Sequence, residues 1–315
     1  VASIGVDEEP FGRGVNMNTD LDTLLTALYV ALTDRIIPSR KVRPDSPGGP
    51  PAVTDAELVC LAVAQAHLGF TSERRWLRAA PDRVGHLFPR LLSQSEYNRR
   101  LRHLAPLMDA AMRWLAADTP SSFDTVRLLD GTKIICGMSR ETTKRSDLFG
   151  WCGYGYDRSH SLYYWGAKLM LLTAPDGPVT GYVLVNPKLF GEAAATAMMM
   201  TRPANVPPPG TTIVADKGLR SQALEAELAE RHLRLIRPAY ANEPDPRYYP
   251  AWLRQRIESV NQSLKHPLGI EQPGAHRPDG LFTRIVQRLL ALNAAIWHNW
   301  HIGANHKRSL TAYGH

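Results

Sequence analysis

Near residue 124 the spacing of apolar residues changes from helical to alternating, and that change limits the folds open to this chain. Before it, Leu21, Leu24, Leu25, Leu28 and Leu32 recur at helical spacing, with Thr19 placed to cap the helix and Pro38 to end it. Thr54-Asp55-Ala56-Glu57 is a capping box that predicts a helix to about His67, stopped by Gly69. A short helix is expected from Glu73 to Ala80, ended by Pro81. Ser93-Gln94-Ser95-Glu96 is a second capping box, opening a helix that Pro106 kinks or divides. The Pro/Gly/Arg stretch from Ser39 to Pro51 has no periodicity and reads as an exposed connector.

After the change, Val126 to Ile135 reads as one strand, or as two pieces interrupted at Gly131. Ser161 to Thr173 and Pro178 to Val185 follow as strands, joined by a hairpin turn at Asp176-Gly177. A helix (Glu192 to Met200), a strand (Thr212 to Asp216), a helix (Ser221 to Arg231) and a strand (Leu233 to Ile236) come next. A helix from about Tyr249 to Lys265 and an apolar one from Leu281 to Trp297 close the series. Three strands followed by alternating helix and strand predict an α/β fold: a mixed five-stranded sheet flanked by helices, preceded by an all-helical N-terminal region. The expected division is 1–120, all-helical, and 121–315, the sheet with its helices.

Basic residues outnumber acidic ones by 37 to 30, and the pI is near 9.4. Such a balance suits a polyanion, because Lys and Arg displace counterions from phosphates, and it suits anionic membranes too. No uncharged apolar run approaches the roughly 18 residues of a membrane span, and the first residues show no basic-then-apolar leader. A soluble cytoplasmic protein is expected, nucleoid-associated if DNA is the partner. Cys60, Cys136 and Cys152 form no CxxC pair, which argues against a disulfide framework or zinc ribbon. Between residues 71 and 103, eight arginines stand against three acids. A solvated helical surface or a DNA-binding module explains them, with Arg99, Arg100 and Arg102 as candidate contacts.

Three acids sit in positions that matter for chemistry. Asp130 lies in or at the end of the first strand, Asp216 ends the fourth, and Glu258 rides the helix after the fifth. Strand ends open towards ligands, so carboxylates on different strands can converge at one sheet edge. Converging carboxylates without a cation repel each other, and a divalent metal relieves this; oxygen-only ligands favour Mg2+ or Mn2+. On the Glu258 helix, Leu253, Ile257, Val260 and Leu264 form a core stripe, and Arg254, Glu258, Asn261 and Lys265 a polar one. On this helix alone, a solvated face with an ordinary Arg–Glu pair is the better explanation of that polar stripe.

Together these residues resemble bacterial insertion-sequence transposases of the DDE class, whose catalytic domain has the RNase H-like fold. The matching pieces are Leu128-Leu129-Asp130-Gly131-Thr132, Ile213-Val214-Ala215-Asp216-Lys217-Gly218, and Arg254, Glu258 and Lys265 in their spacing. In detail the chain is most similar to the insertion-sequence group numbered nine-eight-two. It departs at Ala251, where a Tyr is common, at Gly131, where Ser or Thr often stands, and at Leu219, where an aromatic often stands. The resemblance implies that Asp130, Asp216 and Glu258 are catalytic and hold Mg2+ or Mn2+, two ions roughly 3.5–4 Å apart. It implies phosphate contacts from Arg254, Lys265 and Lys217, double-stranded DNA as partner, and a homodimer when two ends are synapsed.

Weaker signals accompany these. Arg140, Lys144 and Arg145, in a polar loop expected after the first strand, read either as DNA contacts or as plain surface. Trp151, Tyr154, Tyr156, Tyr163, Tyr164 and Trp165 read as sheet core or as base-stacking rings. Asp157 and Glu192 are spare acids. His298, His301 and His306 lack the acid or Cys that would complete a zinc site, and are expected to face solvent or DNA.

Overall fold

The computed structural model describes residues 17–39, 51–137, 140–157, 161–240, 249 and 251–314. Most of the expected connector (residues 40–50) therefore lies outside the described residues. The helix α1 (Met17–Ala31) starts before Thr19, which sits inside it rather than capping it, and a wider turn, Leu32–Ile36, extends it. Thr54 and Glu57 exchange the two bonds of a capping box at the start of α2 (Asp55–His67). The next helix, α3 (Glu73–Val84), runs through Pro81 instead of ending there. Pro81 lies near the C-terminal end, where its missing N–H removes one bond only, and its carbonyl still accepts from Gly85. Pro106 divides α4 (Gln94–His103) from α5 (Ala105–Ala117), in whose first turn no N–H is needed.

The sheet follows. Its first strand, β1 (Val126–Gly137), is continuous through Gly131, where pairing with the neighbouring strand is unbroken and the Met170 sulfur fills the space a Cβ would take. After α6 (Arg140–Lys144) come β2 (Gly153–Asp157), β3 (Leu162–Thr173) and β4 (Val179–Val185). The remaining elements are α7 (Glu192–Met200), β5 (Thr212–Ala215), α8 (Gln222–Glu230), β6 (Arg234–Ile236), α9 (Ala251–Lys265) and α10 (Pro278–His301).

Six strands pair among the described residues, where five were expected. The additional one, β2, shares an edge of β3 with β4: β2 pairs with Leu162–Gly166, and β4 with Lys168–Thr173. Its sequence hides it, because Gly153 and Gly155 interrupt apolar alternation. Gly155 is required there, since the Tyr164 ring crosses where its Cβ would stand. On the other side of β3 lies antiparallel β1, then β5 parallel to β1, then β6 parallel to β5.

The two sheet faces are covered differently. Ile134, Trp165, Ala167, Leu169 and Leu171 pack with α10 and the N-terminal helices in one continuous core. Leu129, Met170, Leu172, Ile213 and Ala215 pack towards α7 and α8. Ile257 of α9 closes over Leu128 and Val214.

Candidate functional site

Strand lengths create the site. Parallel pairing of β1 with β5 ends at Leu129↔Ala215, so the next residues, Asp130 and Asp216, stand side by side where β5 stops. Neighbouring strands lie about 4.8 Å apart, which brings the two carboxylates together. Beyond that point β1 continues to Gly137, and its residues Gly131, Thr132 and Lys133 line a cleft of about 880 Å³. Asp130, Thr132, Lys133, Lys168, Glu192, Asp216, Lys265 and Glu271 line it.

Asp130 accepts the Gly131 N–H at 2.7 Å and a hydrogen bond from the Asn261 side-chain amide of α9. Burial pushes its carboxyl up to about 6, against the pull of the Gly131 N–H. The charges of Asp216 and Glu192 push the same way, and Lys265 opposes them. Asp216 is exposed and accepts the Gly218 N–H, which holds the turn after β5. Glu258 is exposed on α9 and lines a smaller cavity of about 190 Å³ together with Asp130, Asp216 and Ile257. All three acids thus border connected space, and Asp130 and Asp216 line both cavities.

Lysine–carboxylate pairs surround them. Lys133 lies 2.7 Å from Asp157, Lys168 2.8 Å from Glu192, and Lys265 3.2 Å from Glu271. Thr132 donates to the same Glu271 oxygen at 3.0 Å. Lys133, Lys168 and Glu271 were missed from the sequence, and Asp157 and Glu192 were read only as spare acids. A signal did exist for Lys168, the one charge in an otherwise largely apolar strand, and Lys133 stands opposite it in register. Lys217 borders both cavities, with its ammonium 4.3 Å from the centre of the Tyr240 ring.

The remaining candidates lie elsewhere. Lys144, 3.5 Å from Glu141, and Arg145 are exposed and line neither carboxylate cavity. Lys144 belongs to α6, a short helix where a plain loop was expected. The side chains of Arg140 and Arg254 lie outside the described residues. On α4, Arg99 is exposed near Glu96, Arg102 pairs with Asp279 at 3.2 Å, and Arg100 turns inward to the Val53 carbonyl and Asp55, each at 2.7 Å. His298 was expected to face solvent or DNA, but it is buried against the Tyr313 hydroxyl at 2.8 Å, because α10 is covered almost to its end.

The donor chemistry fits a divalent cation: oxygen ligands only, and two adjacent carboxylates that form no ion pair among the described residues. As the side chains stand, no three acids, histidines or cysteines among the described residues enclose one point. Asp130 and Asp216 stand adjacent, and Glu258 borders the smaller cavity with them from α9. No helix among the described residues is long and apolar enough to cross a membrane.

No family model matches the chain, and no curated protein matches it. A solved piggyBac transposase synaptic complex with hairpin DNA is similar to it, with a TM-score of 0.47 and 11% identity, covering 96% of this chain and 79% of that one.

Proposed function

We propose that this protein is a DNA transposase of the DDE type, cleaving element ends and joining them to target DNA by in-line phosphoryl transfer. The observation that carries the reading is the placement of Asp130 beside Asp216 where β5 stops, with Glu258 facing the same space from α9. An RNase H-like catalytic domain is supported by the sheet itself, in which β1, β3 and β4 are antiparallel neighbours and β5 and β6 extend the far edge of β1 in parallel. Membership of an insertion-sequence group rests on the three sequence motifs alone.

Asp130, Asp216 and Glu258 are the residues that would hold Mg2+ or Mn2+. When bound, such ions act as Lewis acids on the scissile phosphate and its attacking and leaving oxygens. Asn261 fixes the Asp130 carboxylate by donating to it, so that its orientation does not depend on a ligand. At neutral pH Asp130 is mostly ionised, and below about 6 it takes up a proton and loses its charge. Lys217 and Lys265 present ammonium groups to phosphates at the cleft wall. No Ser or Tyr nucleophile is required, since water or a DNA 3′-OH attacks directly. Double-stranded DNA is the substrate, and a homodimer is the expected state when two ends are held together.

The test is cleavage and strand transfer on labelled DNA carrying the element's ends, with Mg2+ or Mn2+, for the intact protein and Asp216→Ala. Asp216 is exposed, so the variant should fold. Metal-dependent cutting and joining is expected from the intact protein, and neither from the variant, with DNA binding retained in both. Binding without cutting by the intact protein would reduce it to a DNA-binding descendant of such an enzyme, and cutting without joining would make it a nuclease.

A further inference from the structure

The hairpin formed by β2 and β3 carries an aromatic face that the fold does not use. Residues directly opposite each other across two strands share a face, which here pairs Tyr154 with Trp165 and Tyr156 with Tyr163. Trp165 is buried in the core beneath α10, but the three tyrosines run past the covering helices into solvent. They are 52%, 47% and 76% exposed for Tyr154, Tyr156 and Tyr163, and the rings of the last two stand 4.7 Å apart. Large rings left in water on one strand face call for a partner.

The geometry points to this face as a stacking platform for unpaired bases of a DNA end whose phosphates enter the adjacent cleft, an inference that rests on the DNA-processing reading above. Continuity is the first argument. Tyr156 itself lines the cleft that holds Asp130 and Asp216, as do Asp157 and Tyr164 beside it. A strand end drawn towards the carboxylates therefore passes the platform. Chemistry is the second. Every base has a π-face, so tyrosine rings bind unpaired nucleotides with little sequence preference, whereas an aliphatic patch would not. The chain's net charge of +7 favours a polyanion over most proteins.

Area argues against a second copy of the chain as the occupant. At about 200 Å² per full ring, the exposed parts of the three tyrosines offer about 350 Å². Phe149 and Trp151, which precede β2 and are also exposed, would raise that to roughly 650 Å². A stable protein interface needs about 800 Å² per partner.

The experiment compares two probes: a blunt duplex ending at the element terminus, and the same duplex with a short unpaired overhang containing 2-aminopurine. The intact protein, Tyr156→Ala with Tyr163→Ala, and Tyr156→Phe with Tyr163→Phe are titrated with each. The intact protein and the Phe pair should bind the overhang probe more tightly than the blunt one and quench its fluorescence. The Ala pair should lose that preference by about tenfold or more, any loss of affinity for the blunt duplex being much the smaller. The platform is overturned if the Ala pair keeps both preference and quenching, if it weakens both probes equally, or if the intact protein shows no preference for the overhang. It is also overturned if sedimentation shows the Ala pair turning a dimer into a monomer, which would assign the face to a second copy. Failure of the intact protein to bind either probe sinks the DNA-processing reading itself, a result separate from loss of the overhang preference alone.

Discussion

The two helices α9 and α10 are both amphiphilic, yet they put their polar residues to opposite uses. Along α10 the chain is buried almost continuously from Leu281 to Asn299, and its polar groups are bound mainly to backbone. Asn293 accepts the Val179 N–H at 2.8 Å and donates to the Met112 and Val179 carbonyls at 2.9 Å. Gln287 donates to the Ala62 carbonyl at 2.7 Å, and Arg288, its pKa pushed down to about 10 by burial, donates to the Leu268 carbonyl at 2.8 Å. These bonds tie the N-terminal helices, β4 and the segment after α9 to one rod. By contrast α9 buries a narrow stripe, Ile257, Val260 and Leu264, and turns Glu258, Asn261 and Lys265 towards carboxylates and open space. The partner of a polar side chain, more than its type, separates scaffold from site: Asn293 binds backbone, whereas Asn261 binds a carboxylate surrounded by like charge.

That contrast predicts, first, that Asn293→Ala destabilises the protein by about 2–4 kcal/mol, since three buried bonds are lost at ~1 kcal/mol each and their partners are left unsatisfied. Chemical denaturation measures it. A loss under about 1 kcal/mol would mean that α10 does not owe its role to these bonds, and the comparison would fail at its stronger end.

The site should behave in the opposite sense. The Asp130 carboxyl has its ordinary value of 3.8 raised to about 6 in the folded protein, so folding favours its protonated form. Well below pH 3.8 the group is protonated in both states and costs nothing. As pH rises from 3.8 to about 6 the unfolded state gives up the proton that the folded state still holds, and stability falls by up to about 3 kcal/mol, the loss being complete above 6. Asp130→Asn removes the charge and keeps an oxygen for the Asn261 amide to bond. The variant should therefore be more stable than the intact protein at pH 7 and equal to it at about pH 3. Added Mg2+ or Mn2+ should raise the Tm of the intact protein and leave that of the variant unchanged. A variant less stable at pH 7 would show that Asp130 is a structural acid.

How far the sequence disclosed this arrangement differs between backbone and site. Helix α7 and the ends of β3, β4 and α9 lie within a residue or two of their predicted bounds, because caps, turns and alternation are local signals. Asp130 and Asp216 were legible for the same reason, as acids closing apolar runs. Pairing was not legible. The Lys133–Asp157 and Lys168–Glu192 contacts join residues 24 positions apart, and the Lys265–Glu271 pair depends on how the chain turns after α9. Strand β2 was hidden by Gly153 and Gly155, whose reason, the passage of Tyr164 over Gly155, exists only once β2 and β3 are paired.

The smallest effect tests the comparison most closely, because it repeats the first substitution on the other helix. Asn261→Ala removes one bond, from a side chain at the edge of the α9 core, and should cost about 1 kcal/mol or less. Its consequence should lie in titration instead. The amide donates to the charged form of Asp130, so its loss leaves burial and the neighbouring acids less opposed, and the Asp130 pKa moves further above 6. The acid limb of the pH–rate profile for cleavage should then shift towards higher pH, while the Tm stays close to that of the intact protein. Should the Tm instead fall as far as in Asn293→Ala with the pH limb unmoved, Asn261 would be a packing residue like those of α10. The division between a helix that holds the fold and a helix that holds the site would then be lost.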